Sequence, residues 1–144
     1  MSGKLTLIDS DILISILRKE PTPYENARFY LSLHGKINIS CLTWYECHRG
    51  YKTLGAVKRL KEFDELMGFT NIYPLDDAVL KRASTIYAYL HQQGKLTGEF
   101  DLLIGATAIQ YDLTLATNNE KHYSVMVERF GLKLENWINE RVWV

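Results

Sequence analysis

Short apolar runs of strand length alternate along this chain with longer stretches of helical period. LTLID, residues 5–9, is a compact apolar run ending in a carboxylate. From Ile12 the apolar positions Ile12, Leu13, Ile16 and Leu17 recur at helical spacing. Pro21 and Pro23 stop that segment, and residues 25–33 resume as a helix ending at Gly35. INISCL, residues 37–42, reads as a second buried strand, with Thr43 as the N-cap of a helix carrying Trp44, Glu46 and Arg49. Gly55 separates it from another helix over 56–67. A third, short strand is predicted over 71–75, weakened by Pro74. Asp76 then caps a long helix running to Gln93, with Leu80, Ala83, Ile86, Tyr87 and Leu90 on one face and Gly94 closing it. A loop over 95–99 leads into a helix over 101–110. LTLAT, residues 113–117, is a fourth strand, a helix follows around 122–129, and 132–134 is a fifth strand.

Strands alternating with helices predict an α/β fold with a mainly parallel sheet of about five strands. No repeat, low-complexity tract or linker interrupts the pattern, so residues 1–144 are expected to form a single domain. A hydrophobic fraction of 47% excludes intrinsic disorder. A membrane span needs ~20 apolar residues, and the most continuous apolar stretch, 102–109, already contains Gly105 and Thr107. The first residues carry one lysine and then carboxylates rather than a secretory signal, so a cytoplasmic location is expected. Two cysteines, Cys41 and Cys47, do not make a disulfide framework. Seventeen basic residues balance seventeen acidic ones. Zero net charge argues against a protein that coats nucleic acid, while leaving room for a nuclease with a local basic patch.

In parallel sheets ligands bind beyond the carboxyl ends of the strands, and this chain puts acids there. Asp9, Ser10 and Asp11 follow the first strand; Thr43 and Glu46 follow the second. Asp101 opens the helix before the fourth strand, which ends in Thr117, Asn118 and Asn119. If the sheet is parallel, Asp9, Glu46, Asp101 and Asn119 share one rim. Carboxylates gathered in one pocket repel unless a cation sits among them. An all-oxygen set is what Mg²⁺ or Mn²⁺ prefers, and such an ion supports hydrolysis of a phosphodiester. Plainer roles exist for each residue. Asp9, Ser10 or Asp11 can cap a helix, Glu46 and Asp101 can answer a helix dipole, and Asn118 and Asn119 can be turn residues.

Four blocks in this order, LIDSDILI, SCLTWYE, GEFDLLIGATA and LATNNEKHY, resemble the PIN-domain ribonucleases, and within them the VapC-type toxins of toxin–antitoxin pairs. The resemblance implies a three-layer α/β/α domain and a Mg²⁺ or Mn²⁺ site. Carried over by position, Asp9, Glu46 and Asp101 are the metal-binding carboxylates, and Asn119 stands where many members have a fourth acid. Thr117 would orient the pocket and Ser10 would support Asp9. It further implies endonucleolytic cleavage of RNA, silencing by a cognate antitoxin, and a homodimer. The chain departs from the pattern at Asn119, which is neutral, at Gly105 for alanine and Tyr123 for phenylalanine, both mild changes, and at Asp11. Asp11 and Glu99 are candidates to restore the lost charge.

For substrate contacts, Arg49 lies on nearly the same helical face as Glu46, and Lys121 and His122 follow Asn119. Lys58, Arg59 and Lys61 read as a solvated face. Trp44, Tyr45 and Tyr51 offer either base stacking or core packing. Cys47 and His48 lack a second ligand pair, which argues against zinc. Tyr24, Phe29, Tyr30 and Leu33 form a stripe that is either core or a groove for an antitoxin helix. Two other functions remain open: a PIN-like module that binds RNA or protein without cutting, favoured by Asn119, and a phosphatase of the haloacid-dehalogenase type. The latter rests on Asp9-Ser10-Asp11 after a strand, but Leu13 stands where it wants Thr or Val.

Overall fold

Each strand run folds into the sheet and each periodic run covers it. In the computed structural model, which describes residues 5–142, β1 (Thr6–Ile8) leads into α1 (Ser10–Leu17) and α2 (Pro21–His34), and β2 (Ile37–Ser40) into α3 (Cys41–Leu54) and α4 (Val57–Met67). β3 (Thr70–Tyr73) leads into α5 (Asp77–Gln92) and α6 (Glu99–Gln110). β4 (Thr114–Ala116) is followed by a 3-10 turn (Glu120–Tyr123) and α7 (Ser124–Phe130), and β5 (Leu134–Glu135) closes the sheet. The order is β3-β2-β1-β4-β5, every pairing parallel. The three-layer α/β/α expectation is met.

Alternation along the strands sends neighbours to opposite faces. Leu7 and Leu115 enter a core with Val79, Ile86, Leu90, Ile104 and Met126 from α5, α6 and α7. Ile8 and Ala116 enter the other, with Ile12, Ile16, Tyr30, Cys47, Phe63 and Trp137. Among the described residues no helix is long and apolar enough to cross a membrane. The reading of the first residues as no secretory signal rests partly on Met1 to Lys4, outside the described residues.

Several boundaries move, each for a local reason. The prolines do not break the first helix; Lys19, at φ 57°, does. Pro21 instead opens α2 at its first position, where a missing N–H costs nothing. Ser40, not Thr43, caps α3, its hydroxyl accepting from Leu42 N at 3.1 Å. α6 starts at Glu99 with Gly98 as N-cap, so Asp101 sits inside the first turn rather than opening it. On α5 the buried face is Val79, Ala83, Ile86 and Leu90, whereas Leu80 and Tyr87 are exposed. The stripe on α2 also divides, since Tyr30 is core while Leu33 is exposed.

The C-terminal segment is tied down by one buried amide. Asn26 Nδ2 donates to the carbonyls of Trp137 at 3.0 Å and Glu140 at 2.8 Å, and Asn26 Oδ1 accepts from Val142 N at 3.0 Å. Asn26→Ala strands those backbone groups, each at a cost of ~1 kcal/mol or more. A loss of about 3 kcal/mol in urea-denaturation stability is expected, together with freer exchange of the amides around Trp137.

Candidate active site

The connections of the sheet reverse between β1 and β4, which opens a crevice beyond their carboxyl ends. Asp9 follows β1 there and Thr117 follows β4. Asp9 takes the capping role that the sequence offers it. It is the N-cap of α1, with Oδ1 accepting from Ser10 N at 2.8 Å. Its other oxygen, Oδ2, is buried and accepts from Thr117 Oγ1 at 2.9 Å and from Tyr123 OH at 3.0 Å.

Tyr123 is fully buried, and its hydroxyl also lies 3.3 Å from Asp101 Oδ1. The two carboxylates, far apart in sequence, therefore address one point in space. Asp101 sits in the first turn of α6, where the helix dipole favours an anion. Its Oδ2 is 2.8 Å from His122 Nδ1. Glu46, in the second turn of α3, is the third acid. It accepts from Ser10 Oγ at 2.7 Å, and Thr43 Oγ1 is 3.4 Å from the same hydroxyl. Ser10 thus supports Asp9 through its backbone N–H and Glu46 through its side chain.

The remaining candidates fall elsewhere. Asp11 Oδ1 accepts from Ile12 N at 2.8 Å and Oδ2 from Asn118 N at 2.7 Å, so Asp11 splices the start of α1 to the loop after β4. Asn119 contributes its backbone N–H to Thr117 Oγ1 at 3.0 Å, while the residue is exposed. Glu99 is exposed and lines a separate cavity with Leu80 and Tyr87. Arg49 lies over the rings of Tyr45, at 4.8 Å, and Phe100, at 5.4 Å, beside Glu46 and Asp101 in sequence. Lys121 is exposed next to His122. Trp44 stacks on His48 and Tyr51 meets Phe63 edge-on, so both pack rather than present a base platform.

Sequence reasoning missed the hydroxyl of Tyr123. The signal was a tyrosine in an apolar slot, because a buried phenol must find a partner. Gly105 also matters more than a mild change. A Cβ there would meet Met126 Sδ at 2.5 Å and Tyr123 Cδ1 at 3.5 Å. The bare backbone of α6 at this point lets the segment carrying Tyr123 settle against it.

Burial pushes the Asp9 carboxyl up to about 6, and the Asp11 charge adds to this against the hydrogen bonds from Ser10, Thr117 and Tyr123. Burial likewise raises Asp11. Tyr123 is pushed up by burial, then by the charges of Asp9 and Asp101, and stays a phenol. The donors are all hard oxygens, and two carboxylates share one focus, which suits Mg²⁺ or Mn²⁺ held through one or two carboxylates and water. Among the described residues no three His, Cys, Asp or Glu side chains stand close enough together to hold a metal ion, so the fit rests on the Asp9 and Asp101 carboxylates alone; Cys47, buried and raised to about 12, makes no zinc ligand there.

Fold and crevice together define a doubly wound α/β protein with an acidic pocket at its switch point. The model of the PIN domain matches residues 6–127, and the chain belongs to that family. It is 34% identical over 128 residues to a protein of Methanocaldococcus jannaschii named Ribonuclease VapC1, covering 89% of this chain and 85% of that one. It is 27% identical to Ribonuclease VapC2 of Rickettsia felis, over 91% of this chain and 96% of the relative. Among solved structures, VapBC2 from Rickettsia felis bound to a DNA fragment of its promoter is similar, with a TM-score of 0.79, 26% identity and coverage of 92% and 98%. DNA-bound VapBC from Salmonella typhimurium, at 23% identity and a TM-score of 0.78, shares the fold.

Proposed function

We propose that this chain is a metal-dependent endoribonuclease, the toxin of a toxin–antitoxin pair, working as a homodimer in the cytoplasm. The observation that carries the reading is the convergence of Asp9 and Asp101 on one point, with Glu46 linked to Asp9 through Ser10. Relatives named as VapC ribonucleases and a neighbour solved as VapBC2 support an RNA substrate and an antitoxin partner. Asp9, Asp101 and Glu46 would hold Mg²⁺, or Mn²⁺, which when bound supplies an activated water and stabilises the leaving oxygen of a phosphodiester.

The chain's own residues do the rest. Thr117 and Tyr123 fix Oδ2 of Asp9, and His122 fixes Asp101. Arg49, held against Tyr45 and Phe100, and Lys121 offer cations on which phosphates can rest. Each oxygen of Asp11 accepts a backbone N–H, which fits a residue that joins α1 to the loop after β4 better than the second acid of a haloacid-dehalogenase-type phosphatase.

Purified, antitoxin-free protein incubated with total cellular RNA should yield discrete fragments with Mg²⁺ or Mn²⁺ and none with EDTA. Intact RNA in all three conditions, from protein shown to be folded, would sink the nuclease reading in favour of a binding module.

A further inference from the structure

Beside the acidic crevice, α5, the loop before α6 and the segment 121–126 enclose a cavity of about 390 Å³. Its apolar lining is Leu96 and Val125, backed by the buried Leu90 and Met126, and its basic members are Lys95, Lys121 and His122. His122 joins the cavity to the acids, since its Nδ1 is engaged by Asp101 at 2.8 Å. A ligand in the cavity would therefore meet Nε2. Both lysines are exposed, and neither has an ion-pair partner among the described residues. The volume lies at the low end of small-ligand pockets, ~300–1,000 Å³.

We propose that this cavity is a nucleotide subsite: it takes one unstacked RNA base against Leu96 and Val125, with its phosphates on Lys95 and Lys121. The proposal deepens the nuclease reading and rests on it for the placement of the scissile bond next door. Charge complementarity and continuity with Asp101 favour an RNA strand as the occupant. A base can enter such a pocket only when splayed out of a helix, and A-form duplex presents backbone and a shallow groove instead. The substrate is then RNA with an unpaired nucleotide at the cleavage position.

The test uses a 5′-fluorescein 8-nucleotide oligouridylate, with binding read by anisotropy in EDTA. The comparison is between Lys95→Glu/Lys121→Glu and Lys58→Glu/Lys61→Glu, a control with the same change of net charge placed on α4. The first pair should weaken binding at least tenfold more than the control. It should also flatten the dependence of log Kd on log salt by about 1.4, ~0.7 for each lost phosphate contact, at an unchanged melting temperature. In Mg²⁺, a hairpin should be cut in its loop at least tenfold faster than a blunt 12-base-pair duplex.

Equal weakening by the two pairs, or equal cutting of duplex and loop, overturns the subsite. So does loss of binding to an acidic decapeptide with RNA binding retained, which would make the cavity a dock for a protein tail. Lysine-dependent RNA binding without cleavage in Mg²⁺ or Mn²⁺ upholds the subsite and refutes the nuclease reading, so the two failures are distinct.

Discussion

Asp101→Asn and Asp9→Asn are each expected to lower RNA cleavage about a thousandfold, equivalent to ~4 kcal/mol of barrier, in protein that still folds. Both side chains meet at the hydroxyl of Tyr123, and neither amide can supply the anionic oxygen that a divalent cation requires. Asn119→Ala should cost tenfold or less, because the crevice uses the backbone N–H of that residue while its side chain is exposed. Glu99→Gln should be near neutral, since Glu99 lies with Leu80 and Tyr87 on the α5 side. Single-turnover rates on one defined RNA, beside Mn²⁺ binding by each variant, make the check. Cleavage by Asp101→Asn within tenfold of wild type would show that the catalytic centre lies elsewhere.

That ranking depends on contacts the sequence shows unevenly. Both central strands were legible to within a residue or two, because LTLID and LTLAT are short runs of apolar residues and β-branched threonine, each closed by a polar residue at the strand end. Asp9 and Thr117 follow directly from those strand ends. Asp101 was legible as an acid near a helix start, and the family's order of motifs joined it to the others. The details that failed are those set by atoms from remote parts of the chain. Asp11 and Glu99 were equal candidates as spare acids. One now holds the Asn118 backbone, and the other belongs to the surface beside α5. Only the fold could separate them. The exchange of an expected phenylalanine for Tyr123 adds a single hydroxyl. Its weight became visible only once two carboxylates were found within 3.0 Å and 3.3 Å of it. At Ser40 and Pro21 the sequence offered competing caps and breaks, which lie within the usual uncertainty of helix ends.

Metal-free protein should lose stability as pH rises from about 4 to about 6, and Asp9 should be the main cause. Folding lifts this carboxyl from an ordinary 3.8 to about 6, so across that window the folded state holds a proton that the unfolded state releases. Stability falls with rising pH wherever the folded state binds more protons. At about 1.4 kcal/mol per tenfold in proton affinity, Asp9 alone contributes a loss of about 3 kcal/mol, complete above the folded value. Asp11 is raised in the same direction, so the two neighbouring carboxyls act together. Asp9→Asn removes the burden, so urea melts should show the variant gaining on wild type by about 3 kcal/mol between pH 4 and pH 7. Tyr123→Phe should act the opposite way at neutral pH, because it takes a donor from the ionised carboxylate and pushes its proton uptake higher still. A divalent cation competes for the same oxygens and needs them ionised. Its stabilisation of the wild-type protein should therefore be largest near pH 8 and fade below about 6, and Asp9→Asn should show little of it at either pH. If the two proteins instead keep a constant stability difference from pH 4 to pH 8, Asp9 serves only as a helix cap. The crevice would then be a structural feature of the switch point and not a place held in tension for a cation.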